Sequence, residues 1–185
     1  MHTDRSEDES RKQQQRVRGR TAKQRGEAIE AEFLAVAAGL GFKVSKPWGD
    51  SERYDFLIEG KEIFWRVQVK HTTCRRGDAY FLSLSEPCYT AQEIDFLVVY
   101  VAPVKVWYVI PIAVVESHQS LGLRPDLRES KFDRYRDAWC LFTCTLKARG
   151  WNNIPVVCRG GRDLSSRCAV CPRRPAPEVD EPDSG

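Results

Sequence analysis

No apolar run in the 185-residue chain approaches the ~18 residues that a membrane-spanning helix needs. The opening stretch, Met1 to Gln15, is polar throughout and lacks the short charged cap and apolar segment of a secretory leader. These absences predict a cytoplasmic protein with no membrane partner. No segment repeats, which excludes a solenoid or propeller. A strong excess of one charge sign is also missing: 29 Lys and Arg face 26 Asp and Glu, for a formal charge of +3. That balance names no partner, but it is unevenly spread, because residues 11–25 carry seven basic side chains and no acid.

Cysteine is not scarce, yet seven thiols without a leader point to reduced side chains and not to a disulfide framework. Cys74, Cys88, Cys140 and Cys144 lie in apolar or turn segments and are expected to be small buried hydrophobes. Cys168 and Cys171 form one C-x-x-C, with Cys158 upstream. A structural zinc site wants four ligands, and no nearby histidine supplies the fourth, so no zinc is expected there.

What the chain does have is enough apolar material, 42%, for one domain with a real core. Residues 1–20 are charged and Gln-rich and predict a disordered basic arm. Residues 156–185 are rich in Gly, Pro and acids and predict a flexible tail. The folded unit is therefore 21–155. Within it, Thr21 to Gln24 resembles a capping box, and Ile29, Phe33, Val36, Ala37 and Leu40 form one helical stripe ended by Gly39 and Gly41. Strands are predicted at 42–45, 54–59, 62–70, 80–85, 96–102 and 107–112, with a short helix over 131–142. Helix, strands, then helix argue an α/β (α+β) domain with a central mixed β-sheet flanked by helices.

Polar groups fixed on core elements stand out. Glu30 sits beside the apolar stripe of the first helix, and Asp55 begins the second strand. Gln68 and Lys70 are two apart on the third strand and so share a face. A hairpin about Gly60-Lys61 brings Asp55, Gln68 and Lys70 together. A carboxylate, a second oxygen donor and a lysine at one point suit phosphodiester cleavage with a hard divalent ion, Mg²⁺ or Mn²⁺.

The strings Gly26-Glu-Ala-Ile-Glu30-Ala, Gly41-Phe-Lys-Val, Pro47-Trp-Gly-Asp-Ser-Glu-Arg-Tyr-Asp55 and Trp65-Arg-Val-Gln-Val-Lys70 carry more than this spacing. With Tyr89-Thr-Ala-Gln-Glu-Ile-Asp95-Phe, Trp107-Tyr-Val-Ile-Pro and Tyr135-Arg-Asp-Ala-Trp139, they resemble the PD-(D/E)XK nuclease superfamily. Within it the chain is most similar to the group I intron-associated homing endonuclease branch. The resemblance implies a restriction-endonuclease-like core. It also implies that Glu30 is the helix carboxylate, Asp55 the principal metal ligand, Gln68 the residue in the E position and Lys70 the catalytic lysine. Glu30, Asp55 and Gln68 are then the expected metal ligands. Gln for Glu departs from the superfamily pattern and matches the homing branch.

Around this set, Ser51 and Arg53 are candidates for backing the site or touching phosphate. Glu27 competes with Glu30, and the family pattern favours Glu30. Asp95 is expected to be structural, at the entry to its strand. His71 should face away from Lys70, and His118 receives no role. Trp48, Trp65 and Trp107 are expected in the core. The resulting reading is a magnesium-dependent DNA endonuclease, homing-endonuclease-like, with DNA as partner and a homo-oligomer, dimer or tetramer, expected from the resemblance. A junction resolvase or restriction-like nuclease, and a non-catalytic nucleic-acid-binding module on the same scaffold, stay open as alternatives.

Overall fold

The computed structural model describes residues 21–143 apart from 50, 61, 62, 86 and 87. Helix α1 spans Ala22–Gly39 and begins as its sequence predicts. The Thr21 hydroxyl accepts the Gln24 N–H while the Gln24 side chain accepts the Thr21 N–H, so two end donors are satisfied reciprocally. Gly41 follows at φ +85, a left-handed position that glycine takes at no steric cost. The stripe faces inward as expected: Phe33 and Ala37 are fully buried, and Ile29, Val36 and Leu40 pack at its margin.

Five strands form the main sheet: β1 (Val44–Ser45), β2 (Phe56–Glu59), β3 (Phe64–Thr72), β6 (Phe96–Val101) and β7 (Val106–Pro111), in the order β1-β2-β3-β6-β7. Only β3 and β6 run parallel. The sheet is thus mixed, with β2 and β7 closing either side by antiparallel pairing. Every residue of β6 and β7 is buried, which is why both read as continuous apolar runs. The register of the parallel pair is pinned at its start by Asp95. Its carboxylate accepts the Arg66 N–H at 2.9 Å and the Arg66 guanidinium at 3.1 Å, and its own N–H donates to the Arg66 carbonyl. A structural role for Asp95 is the one its position predicted.

A second sheet holds β4 (Arg75–Arg76), β5 (Ala79–Ser83) and β8 (Ser120–Leu123) in the order β4-β5-β8. The fourth predicted strand therefore leaves the main sheet, and β4 and β8 went unread because two and four residues carry too little alternation.

The expected helix at 131–142 is absent. Two short 3₁₀ turns, Asp133–Tyr135 and Trp139–Phe142, stand in its place, and α1 is the only α-helix among the described residues. Between them Arg136 bridges to Tyr108, and Asp137 takes a left-handed φ of 48 so that its N–H donates to the Trp107 carbonyl. Pairing with the β7 edge overrides the helical period there, although Phe132, Tyr135 and Trp139 still bury as the spacing required.

Aromatic packing fixes α1 to the sheet. The Phe33 ring lies 5.0 Å from Phe56, 5.8 Å from Trp139 and 6.0 Å from Trp107. Trp65 and Trp107 are in the core, but Trp48 is not: it is 99% exposed on the loop after β1, beside Gly49 at φ +80, where no other element covers it. Cys140 is buried, while Cys74 and Cys88 are exposed because they fall in the connections before β4 and after β5 and not on strands. The arm, the tail and Cys144, Cys158, Cys168 and Cys171 lie outside the described residues.

Candidate active site

Antiparallel pairing of β2 with β3 sets Phe56 opposite Val67, and Asp55 extends that ladder by donating its N–H to the Val67 carbonyl at 2.9 Å. The Asp55 carboxylate consequently meets β3 one step further on. Its Oδ2 accepts the Gln68 side-chain N–H₂ at 2.6 Å and the Val69 backbone N–H at 2.7 Å. Among the described residues Oδ1 takes no hydrogen bond. Gln68 has the reciprocal opening. A carboxylate only accepts, so the amide must turn its nitrogen to Asp55, and Nε2 also donates to the Val69 carbonyl at 3.3 Å. The amide oxygen Oε1 is left uncommitted on a residue that is otherwise 7% exposed.

Burial raises the Asp55 carboxyl above its ordinary range, the Val69 N–H opposes the shift, and the nearby charge of Glu30 adds to it. Lys70 and Gln68 pull the other way. Glu30 reaches this neighbourhood from α1, one turn before the buried Phe33 anchor. Its Oε2 pairs with Lys46 Nζ at 2.8 Å. Lys70 follows Gln68 by two on β3, shares its face, and extends its ammonium over the Tyr89 ring, 5.5 Å from the centroid.

Asp55, Gln68, Lys70 and Glu30 thus converge on one region. Arg53 is exposed on the loop before β2. It is tied to the segment after β5, with Nε on Glu93 Oε1 at 3.0 Å and a guanidinium N–H on the Cys88 carbonyl at 2.6 Å. Ser51 is exposed in that loop, and Glu27 has no tie to Asp55 comparable with that of Glu30. His71 is half-buried with its titration pushed down by burial and by the charges of Arg25 and Lys70. His118 sits apart, against Lys131 and Phe132.

Three side chains were missed from sequence. Lys46 carried no signal beyond its position before Pro47, Tyr89 lay unassigned in a family-like string, and Glu93 became relevant only through Arg53.

The donor set suits a hard divalent ion. It offers one open carboxylate oxygen, one uncommitted amide oxygen and a second carboxylate nearby, all oxygen and none sulfur. No group of three His, Cys, Asp or Glu that could hold a metal ion forms among the described residues, and the neutral Gln68 amide is the polar side chain bonded to the Asp55 carboxylate. A cation would also relieve the unfavourable burial of the Asp55 charge beside Glu30.

A mixed sheet carrying this constellation on adjoining antiparallel strands, with a carboxylate supplied by the packed helix, defines a nuclease core. Residues 20–141 match the family model of the PD-(D/E)XK endonuclease, and the chain belongs to that family. Nucleases of this family act on DNA and generally use divalent metal ions. Among solved structures the chain is similar to a bacterial homing endonuclease, I-Ssp6803I. The two share 26% identity over 70% of this chain and 96% of the other, with a TM-score of 0.57. Similarity also extends to Hjc, a Holliday junction resolvase from Archaeoglobus fulgidus, at 17% identity over 55% of this chain and 84% of the other, with a TM-score of 0.38. Comparison with curated proteins gives no match.

Proposed function

We propose that this protein is a magnesium-dependent DNA endonuclease, homing-endonuclease-like, that hydrolyses phosphodiester bonds at the Asp55 site and works as a homo-oligomer, a dimer or tetramer. The observation that carries the reading is the Asp55 carboxylate held by Gln68 and Val69 with one oxygen open, two strand positions from the Lys70 ammonium. When bound, the divalent ion supplies charge neutralisation at the phosphate and a more acidic water. The chain supplies the rest. Asp55 and Gln68 hold oxygen donors in fixed directions, and the Val69 N–H keeps Asp55 from rotating. Lys70 places a positive charge where the phosphate gains negative charge in the transition state. Glu30 adds a second carboxylate whose charge is balanced by Lys46.

The test incubates purified protein with supercoiled, linear and branched DNA in Mg²⁺, in Mn²⁺ and in chelator. Cleavage is expected with either metal and none with chelator. Asp55→Asn is expected to abolish cleavage while the far-ultraviolet circular dichroism stays that of the parent, because the neutral amide removes the strongest anionic donor. Metal-independent cutting, or full activity in Asp55→Asn, would overturn the assignment, and binding without any cleavage would favour the non-catalytic module.

A further inference from the structure

We infer that Tyr89 is a positioning residue for Lys70, a role that rests on the nuclease reading above and goes beyond it. The Lys70 ammonium has no carboxylate at ion-pair distance among the described residues, although Asp55 feels its charge. It lies instead over the face of the Tyr89 ring, 5.5 Å from the centroid. A flexible four-carbon side chain with no directional acceptor samples many positions, and a catalytic charge is useful only where it is held. The ring quadrupole gives the ammonium one attractive surface without neutralising it, which a carboxylate would do.

The ring itself is fixed. Tyr89 is 6% exposed, and Arg53 lies over it with Cζ 4.9 Å from the centroid. Arg53 is in turn bound to the Cys88 carbonyl and to Glu93, whose other oxygen accepts the Thr90 N–H at 3.0 Å and hydroxyl at 3.2 Å. Just beyond, the Ala91 carbonyl accepts from Arg66 at 3.1 Å, and the Gln92 carbonyl accepts from the same guanidinium. The backbone before Tyr89 is therefore anchored through Arg53 to the loop before β2, and the backbone after it through Arg66 to β3, the strand that carries Lys70. Arg53, offered from sequence as backing the site or touching phosphate, is engaged in this frame. Glu93 offsets its charge, so that the ring is not left with two unbalanced cations.

The role predicts dependence on the ring's electrons and not on its hydroxyl. Tyr89→Phe should cleave DNA at the parent rate. Tyr89→Leu should lose about tenfold in kcat, with KM for DNA changed less than about twofold, the scale expected for a cation–π contact at a partly desolvated site. In a Lys70→Met background Tyr89→Leu should cost nothing further, since the group it holds is gone. Should Tyr89→Leu fail to fold, phenylalanines of increasing ring fluorination at position 89 keep the shape while weakening the negative face, and kcat should fall stepwise along that series. A flat fluorination series with an active parent would overturn the positioning role and leave the nuclease reading intact, as would an equal loss in the Lys70→Met background. A parent that cuts no DNA in Mg²⁺ or Mn²⁺ would bring down the nuclease reading, and this role with it.

Discussion

Asp55 carries a charge that its burial makes unfavourable. Its carboxyl is raised because burial penalises the ionised form, and the two N–H donors on Oδ2 offset only part of that. A carboxyl whose folded value exceeds its unfolded one binds its proton more tightly when folded, so ionising it costs stability. The cost is full above the folded value and vanishes as pH falls toward the ordinary 3.8 of an unfolded Asp. In chelator, Asp55→Asn should therefore melt at or above the parent temperature at pH 7, with the difference closing near pH 4. Mg²⁺ or Mn²⁺ should raise the melting temperature of the parent and leave that of Asp55→Asn unmoved, since a ligand stabilises only the state that binds it. Thermal melts at two pH values, with and without metal, check both signs. A variant less stable than the parent at pH 7 would show that Asp55 is held mainly as a structural acceptor. The nearness of Asp55 to Gln68 was legible in sequence because antiparallel pairing of the two strands sets them side by side. Tyr89 and Lys46 were not, because their roles depend on which loop and which helix come to lie beside β3.

At the scale of elements, long apolar strands and the capped helix could be read directly from period and caps, while the last segment misled. Residues 131–142 have helical spacing, yet beyond their short 3₁₀ turns their backbone bonds go to β7 and to the Trp65 side chain of β3, partners that no local pattern reveals. The second of these contacts makes a sharp prediction. The Trp65 indole N–H donates to the Phe142 carbonyl at 2.7 Å directly beside Gly60, and a Cβ at Gly60 would lie 2.8 Å from both atoms. Neither neighbour has room to yield: Trp65 packs edge-on against Phe96, and Phe142 against Phe42 and Phe96. Gly60→Ala should thus cost about 1–3 kcal/mol, from overpacking and from displacing a buried hydrogen bond. Urea unfolding of parent and variant gives the number. A change below about 0.5 kcal/mol would mean that Phe142 is not clamped beside the β2–β3 turn. Gly26 on α1 is the control, because a Cβ there meets nothing within 4 Å, and Gly26→Ala should be neutral or stabilising.

For the whole molecule, the formal charge of +3 conceals a division of labour along the chain. Residues 1–20 contain Arg11, Lys12, Arg16, Arg18 and Arg20 after an acid-rich start, and Met1 and Val17 are their only large apolar side chains. Such a segment has almost nothing to bury, so its composition predicts electrostatic service to the nuclease domain and no share in its core. Deleting 1–20 should leave the melting temperature within about 1 °C of the parent. It should also weaken DNA binding in chelator at low salt, and flatten the plot of log binding constant against log salt by about 0.9 for each phosphate no longer neutralised, as counterion release requires. The loss should be equal for unrelated duplex sequences, because phosphate contacts carry no base information. Cleavage at saturating DNA should stay near the parent rate, since Asp55, Gln68, Lys70 and Tyr89 all belong to the family-matched residues 20–141. Fluorescence anisotropy across a salt series separates the outcomes. An unchanged slope would remove the arm from DNA binding, and a large drop in melting temperature would place it in the folded unit after all.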